Sequence, residues 1–350
     1  MAPSDPSSLI PHPSSVLPPF DALLLVSFGG PERREDVPAF LQNVLRGKRV
    51  PPERVEEVAE HYYMFGGVSP INEENRALLG AIVAGLNAHG PHWPVYWGNR
   101  NWHPLLPDTL RQMAEDGVRR ALAFVTSAFG SYSGCRQYLE DIEQARREAG
   151  PEAPRVEKLR LFYNHPGFIE PMAERAADAL ASLPEERRSR ARLIFTAHSI
   201  PLAAAARCDY QKQLTEACRL VAKRLDRPQW DLVYQSRSGP PDQPWLEPDI
   251  KDHLRRLRDT DDIREAVVVP IGFLCEHMEV IYDLDVEARQ VCDEIGIGMV
   301  RAEVVGTHPR LVRMVRELIQ ERLDEHAPRL ALGAFGPSPD ACPPGCCRGS

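Results

Sequence analysis

Apolar residues fall along this chain in two rhythms. Short runs dense in Leu, Val, Ala and Ile occupy 22–28, 95–98, 121–128, 159–163, 193–197, 232–235, 266–271 and 299–304. Their length and branched content predict buried strands. Between most of them, apolar residues recur every three or four positions, over 72–86, 137–148, 166–183, 211–225 and 311–323. That spacing predicts amphipathic helices. Strands alternating with helices predict an α/β fold around parallel sheets. Eight evenly spread strands predict two four-stranded halves, with the change-over near Gly150-Pro151. No short tandem repeat is visible.

Composition narrows the class. The chain has 350 residues, is 43% hydrophobic and carries a net charge of −8. A large core is affordable, and no Lys/Arg run marks a nucleic-acid binder. No apolar stretch approaches the ~18–20 residues that cross a bilayer. Residues 1–20 are rich in Pro and Ser, without the basic and apolar regions of a secretory signal. They are expected to be a disordered tail on a cytoplasmic protein. Of eight cysteines, Cys135, Cys208, Cys218, Cys275 and Cys292 are scattered, whereas Cys342, Cys346 and Cys347 crowd together. In a cytoplasmic chain such a crowd favours metal or redox chemistry over structural disulfides.

The segments just after the strands are polar and aromatic. They include Ser27-Phe28-Gly29-Gly30-Pro31-Glu32, Asn99-Arg100-Asn101-Trp102, Tyr132-Ser133-Gly134-Cys135, Thr196-Ala197-His198-Ser199 and Gln235-Ser236-Arg237. Open α/β sheets bind ligands outside the carboxyl ends of their strands, so both halves are expected to face one cleft. Gly29-Gly30 lacks the rest of a dinucleotide fingerprint, and no phosphate-binding P-loop is present.

Three groups of residues carry candidate chemistry. His198 closes a strand among small neighbours; a loop histidine satisfied by its surroundings is the bland reading, a presented imidazole the functional one. Glu279, Asp283 and Glu287 are spaced i, i+4, i+8 and form one acidic stripe on a helix. That stripe is either a solvated face or a carboxylate path for protons or a divalent cation. Trp245 and its Pro-rich neighbours either line a slot for a flat ligand or pack as a rigid loop. Arg100, near Trp97 and Trp102, suits a ligand carboxylate, with an ion pair as the alternative.

Together the motifs resemble the ferrochelatase family. The matching pieces are SFGGPE (27–32), FGGVSPIN (65–72), YWGNRNWHP (96–104), SAFGSYSGCRQY (127–138), TAHSIP (196–201), YQSRSG with PWLEPD (234–249) and PIGFLCEHMEVIYDLD (270–285). The resemblance implies two Rossmann-like domains, each a four-stranded parallel sheet flanked by helices. It implies a first domain over 21–155, a second over 156–305, and a last helix within 306–350 packing back on the first. It implies a cleft that holds a porphyrin and inserts Fe²⁺, with His198 and Glu279 as the catalytic pair. Asp283 and Glu287 join them as the metal path along a helix that is partly π-type. Porphyrin contacts are expected from Ser27, Glu32, Arg100, Tyr132, Ser133, Gln235, Ser236 and Trp245.

Some relatives of this kind carry a [2Fe–2S] cluster, and the resemblance puts its ligands on Cys135, Cys342, Cys346 and Cys347. Four thiolates suit that cluster and would also suit zinc. The segment RGKRVPPERVEEVAE (46–60) is short and charged where membrane-associated relatives carry a longer apolar lip. This implies a soluble enzyme, which with the FGGVSPIN and YWGNRNWHP wording resembles those that act on coproporphyrin III to give coproheme; a monomer is expected. Protoporphyrin IX is the alternative substrate. A haem-binding protein without turnover, or a cobalt chelatase acting on a corrin-type ring, are the competing classes.

Overall fold

The computed structural model describes residues 19–47, 50–240, 242–342 and 345–347. Eight strands form two parallel four-stranded sheets. The first sheet contains β1 (Ala22–Ser27), β2 (Val95–Asn99), β3 (Arg120–Val125) and β4 (Arg155–Lys158), in the order β2-β1-β3-β4. The second contains β5 (Arg192–His198), β6 (Trp230–Gln235), β7 (Glu265–Val269) and β8 (Gly298–Arg301), in the order β6-β5-β7-β8. The chain thus draws the same pattern twice, and in each half the strand order reverses beside the first strand. Ser27 ends β1 and His198 ends β5, so each lies at a topological switch point, where such folds place ligands.

The main helices are α1 (Val37–Val44), α2 (Pro52–Tyr63), α3 (Ile71–His89), α4 (Leu106–Glu115), α5 (Gln137–Ala149), α6 (Pro166–Ala181), α7 (Tyr210–Arg224), α8 (Ile250–Thr260), α9 (Arg289–Ile295) and α10 (Pro309–Leu323). A π-helix, Ile281–Ala288, runs into α9 after the single turn Met278–Val280. β1 and β7 are buried along their whole length, as expected of strands covered by helices on both faces.

Two expectations need correction. The apolar run 159–163 is not a strand; β4 is the more polar Arg155–Lys158, paired with β3 at the sheet edge. The run is buried instead as a loop, with Phe162 stacked on Phe124 at 5.2 Å. Apolar density marked burial there, not strand pairing. Phe20, expected at the end of a disordered tail, is 3% exposed under the guanidinium groups of Arg120 and Arg322. The rest of that tail lies outside the described residues, save residue 19.

α10 packs on α3 of the first half and on α6. Arg316 donates to the carbonyls of His89 (3.1 Å) and Gly90 (3.0 Å) at the end of α3. Against α6 the approach is so close that a Cβ on Gly167 would sit 2.6 Å from Met314 Cβ. Deeper in the core, Arg160 and Glu321 make a fork of two bonds, 2.6 and 2.8 Å, with both side chains 1% exposed.

Candidate active site

β5 carries His198 to the switch point of the second sheet. Its Nδ1 sits tightly against the Ser199 carbonyl, and its own carbonyl accepts from the Tyr210 hydroxyl at 3.0 Å. These contacts fix the ring and turn Nε2 toward Glu279 Oε1, 3.6 Å away. Burial by itself would lower the imidazole's affinity for a proton. The charge of Glu279, its hydrogen bond and the Ser199 carbonyl outweigh that, and the pKa rises to about 9. Beside Glu279, His198 therefore holds its proton at neutral pH.

The loop after β7 delivers Glu279. It passes so close to β5 that a Cβ on Gly272 would lie 2.8 Å from Ala197 Cα, so glycine is required there. The five acids that follow then divide. Arg301 on β8 takes Asp285 in two bonds, 2.7 and 2.8 Å, and Glu276 in a third, 2.8 Å. This staples the helix to the sheet. Glu279, Asp283 and Glu287 are left to a different face. The acidic stripe is thus a sorted set, with the Glu279 side chain 51% exposed and that of Glu287 35% exposed.

Asp283 is a strongly perturbed carboxyl. Burial drives its pKa up to about 7, aided by the charges of Glu279 and Glu287 and opposed by a hydrogen bond from Ser236. Gln235 on β6 donates to the Glu279 carbonyl at 2.8 Å and to Asp283 at 3.4 Å. Ser236 reaches Asp283 through a short hydroxyl contact, from a backbone held in the left-handed region at φ 62°. A serine in that conformation is strained, and such strain gathers at functional sites. Farther along, Glu287 pairs with Lys251 at 2.9 Å.

The first half closes on this helix through α2. His61 stacks on Tyr282 with ring centres 3.7 Å apart and planes 14° from parallel. Tyr62 is close enough to Glu279 that the carboxylate adds to burial in raising its phenol well above the ordinary value. His61, Tyr62, Tyr282 and Lys251 were not foreseen. The only signal was a His-Tyr-Tyr cluster in an otherwise charged stretch, and nothing local said what it would face.

The other expected contact residues have these surroundings. Ser27 is fully buried and accepts from Asn75 (2.9 Å) and Thr126 (3.0 Å). Glu32 is paired with Arg76. Arg100 is 7% exposed at its side chain, paired with Asp141 and packed over the Tyr138 ring at 4.5 Å. The ion-pair alternative therefore describes Arg100 better than a free arm for a ligand. Tyr132 donates to Glu140 at 3.0 Å and Ser133 contacts Ser131 at 3.3 Å, both in the turn leading to α5. Trp245 is 8% exposed, with Gly239 pressed on its ring and, among the described residues, no hydrogen-bond partner for its buried Nε1.

The family profile described as ferrochelatase matches residues 20–323. The chain belongs to the ferrochelatase family. It is 56% identical over 336 residues to the ferrochelatase of Rhodopirellula baltica, covering 95% of each chain. It is 51% identical to the coproporphyrin III ferrochelatase of Mycolicibacterium smegmatis, over 93% of this chain and 99% of that one. The corresponding protein of Nocardia farcinica is 52% identical over 93% and 96%. Among solved structures, SirB from Bacillus subtilis with Fe³⁺ superposes with a TM-score of 0.52 at 13% identity, covering 87% of this chain and 98% of SirB. That likeness shows the fold alone. Among the described residues no helix is long and apolar enough to cross a membrane.

Five cysteines of this ferrochelatase chain neighbour one another, whereas Cys275 lies by Asn75 and Cys292 by Met299. Cys135, 2% exposed at the start of α5, is hydrogen-bonded to Cys342. Cys342 also contacts Cys346, and Cys346 Sγ lies 3.5 Å from Cys347 Sγ. Cys347 in turn bonds to Cys208 in the second half. Among the described residues, no three His, Cys, Asp or Glu side chains surround one point as a metal site. The thiols form a string of pairs instead. No spacing rule in the sequence links Cys208 to residues more than a hundred positions away.

Proposed function

We propose that this protein inserts Fe²⁺ into coproporphyrin III to give coproheme. The observation that carries the reading is the His198–Glu279 pair at the switch point of the second sheet, continued by Asp283 and Glu287. Relatives at about half identity named coproporphyrin III ferrochelatase support the choice of substrate.

The chemistry needs this set of groups. Insertion removes two N–H protons from the macrocycle and strips water from the cation. His198 and Glu279 present a base and a carboxylate at one place. The imidazole beside Glu279 is protonated, so it must lose that proton before it can take one from a pyrrole. A dication arriving at Glu279 reverses the local field and drives the proton off His198. Asp283, titrating near neutral pH, then relays protons along the stripe toward Glu287. Gln235 and Ser236 hold Asp283 in place and are positioning residues.

Anaerobic assays with Fe²⁺, offering coproporphyrin III and protoporphyrin IX separately, test this reading. Faster loss of the coproporphyrin bands is expected. Preference for protoporphyrin IX would overturn the substrate, and tight binding without insertion would leave a haem-binding protein. His198→Ala is expected to abolish insertion while porphyrin still binds; near-normal turnover would remove His198 from the mechanism. A monomer in the cytoplasm is part of the same reading, checked by sedimentation and by cell fractionation.

The reading extends to a [2Fe–2S] cluster held by the cysteine tail. Thiols meeting in pairs suit a group with two ligands on each of two irons. A single zinc would instead need four donors around one point. When bound, the cluster would supply a cross-link between the tail and the body, and no step of metal insertion passes through it. Acid-labile sulfide in the purified protein supports this, whereas zinc without sulfide refutes it.

A further inference from the structure

We infer that Lys251 is a displaceable counter-ion for the acidic stripe: its ammonium occupies Glu287 until a divalent cation takes its place, and so it sets how readily metal is admitted. The inference rests on the metal-insertion reading above and concerns a residue that reading does not use.

The five acids around the π-helix are held in different ways. Asp285 and Glu276 share Arg301 through three bonds, none longer than 2.8 Å. The Arg301 side chain is only 16% exposed. A planar guanidinium gripping in a fork is a fixture. Glu279 faces the His198 imidazole, and Asp283 is held by the neutral side chains of Ser236 and Gln235. Glu287 is held by an ammonium. Lys251 Nζ donates one bond of 2.9 Å to its Oε2, and the two side chains are 33% and 35% exposed. An ammonium is a point charge on a flexible four-carbon stem, and a pair this open to water is held weakly. The stripe thus ends on a carboxylate neutralised by a group that can leave.

Lys251 also stands where local rules disfavour it. It is the second residue of α8, at the positive pole of the helix dipole, where acids are preferred. Asp249 caps that end by accepting from the Lys251 backbone N–H at 2.8 Å. The cap fixes the backbone and leaves the side chain to reach the π-helix. A cation set against its own helix dipole gains its attraction elsewhere, here from Glu287, 36 positions along the chain. Positions that break a local rule are where function is expected.

The consequence is a threshold. With Lys251 in place, the end of the stripe away from His198 is neutral. A dication that binds there must displace the ammonium, which exchanges its ion pair for water. No covalent bond changes and no proton moves. Releasing a pair this exposed lowers the apparent affinity for the ion about two- to fivefold.

The full chain and its Lys251→Met and Lys251→Arg variants test this. Mn²⁺, a hard ion suited to carboxylates, is added to the porphyrin-free protein, and the EPR signal of the free ion is followed. Lys251→Met should bind Mn²⁺ about two- to fivefold more tightly than the native chain. Lys251→Arg, whose guanidinium can grip Glu287 in a fork, should bind it more weakly. In insertion assays the KM for Fe²⁺ should move in the same two directions, with kcat and the KM for porphyrin unchanged. An ordinary surface ion pair gives the same Mn²⁺ affinity and the same KM in all three chains. That result overturns the inference, and so does weaker Mn²⁺ binding by Lys251→Met. In a Glu287→Gln chain, Lys251→Met should no longer alter Mn²⁺ binding; an undiminished effect there shows that Lys251 does not act on Glu287 and overturns the inference. If the native chain inserts Fe²⁺ into neither porphyrin, the insertion reading fails, while Mn²⁺ binding still decides the role of Lys251.

Discussion

At the scale of single residues, the site keeps an unusual distribution of protons. His198 is held charged beside Glu279, whereas Asp283 is held close to half-neutral. A carboxyl whose pKa rises from 3.8 to about 7 on folding costs stability wherever it is ionised, so the cost is complete above pH 7 and absent at low pH. Asp283→Asn is therefore expected to raise the melting temperature by a few degrees at pH 8, on the order of 2 kcal/mol, and to change little at pH 4. The same variant should insert iron at least tenfold more slowly, because its amide relays no proton. Calorimetry at the two pH values with a parallel insertion assay checks both halves; destabilisation at pH 8 would mean that Asp283 is ionised at little cost. His198 behaves in the opposite sense. A histidine whose pKa is raised from 6.5 to about 9 stabilises the fold fully below pH 6.5, and the contribution is lost as pH climbs through 9. In Glu279→Gln the imidazole should titrate at lower pH than in the native chain, seen directly by NMR of the ring protons; an unmoved titration would show that Glu279 is not its partner.

At the scale of elements, the loop between β7 and the π-helix sets where Glu279 stands. Gly272 lies against β5 and donates to the Thr196 carbonyl at 3.0 Å. Gly272→Ala forces that loop off β5 and carries Glu279 away from His198. We expect about 1–3 kcal/mol of lost stability and a fall in kcat larger than any change in KM. Steady-state kinetics on the folded variant decides it, and an unchanged kcat would show that the loop can shift without moving Glu279. The π-helix beyond it has a related role. Asp285 and Glu276 are fixed by Arg301, so the three remaining acids keep their common face despite mutual repulsion.

At the scale of the whole molecule, α10 joins the halves. It touches α3 and α6, caps α3 through Arg316, and places Glu321 against Arg160 in the core. Removing one partner of a buried ion pair leaves an unpaired charge, so Glu321→Ala should cost about 3–5 kcal/mol. Porphyrin binding by the fraction that stays folded should be unaffected. Denaturant titration combined with a porphyrin-quenching assay measures both, and a loss below about 1 kcal/mol would show that Arg160 finds another partner.

What the sequence determined by itself follows from short-range physics. Strand and helix rhythms act over a few residues, so seven of the eight expected strands, the five expected helices and the twofold parallel architecture were legible in it. The place of His198 at the end of β5 and the spacing of Glu279, Asp283 and Glu287 were legible for the same reason. The tertiary structure decided which charges pair and which are left for chemistry, because partners are chosen across long separations in sequence. It assigned Arg100 to Asp141, Asp285 to Arg301, His61 to Tyr282 and Cys208 to Cys347. It also decided the proton on His198, since a pKa depends on burial and on neighbouring charge, and neither exists until the chain has folded.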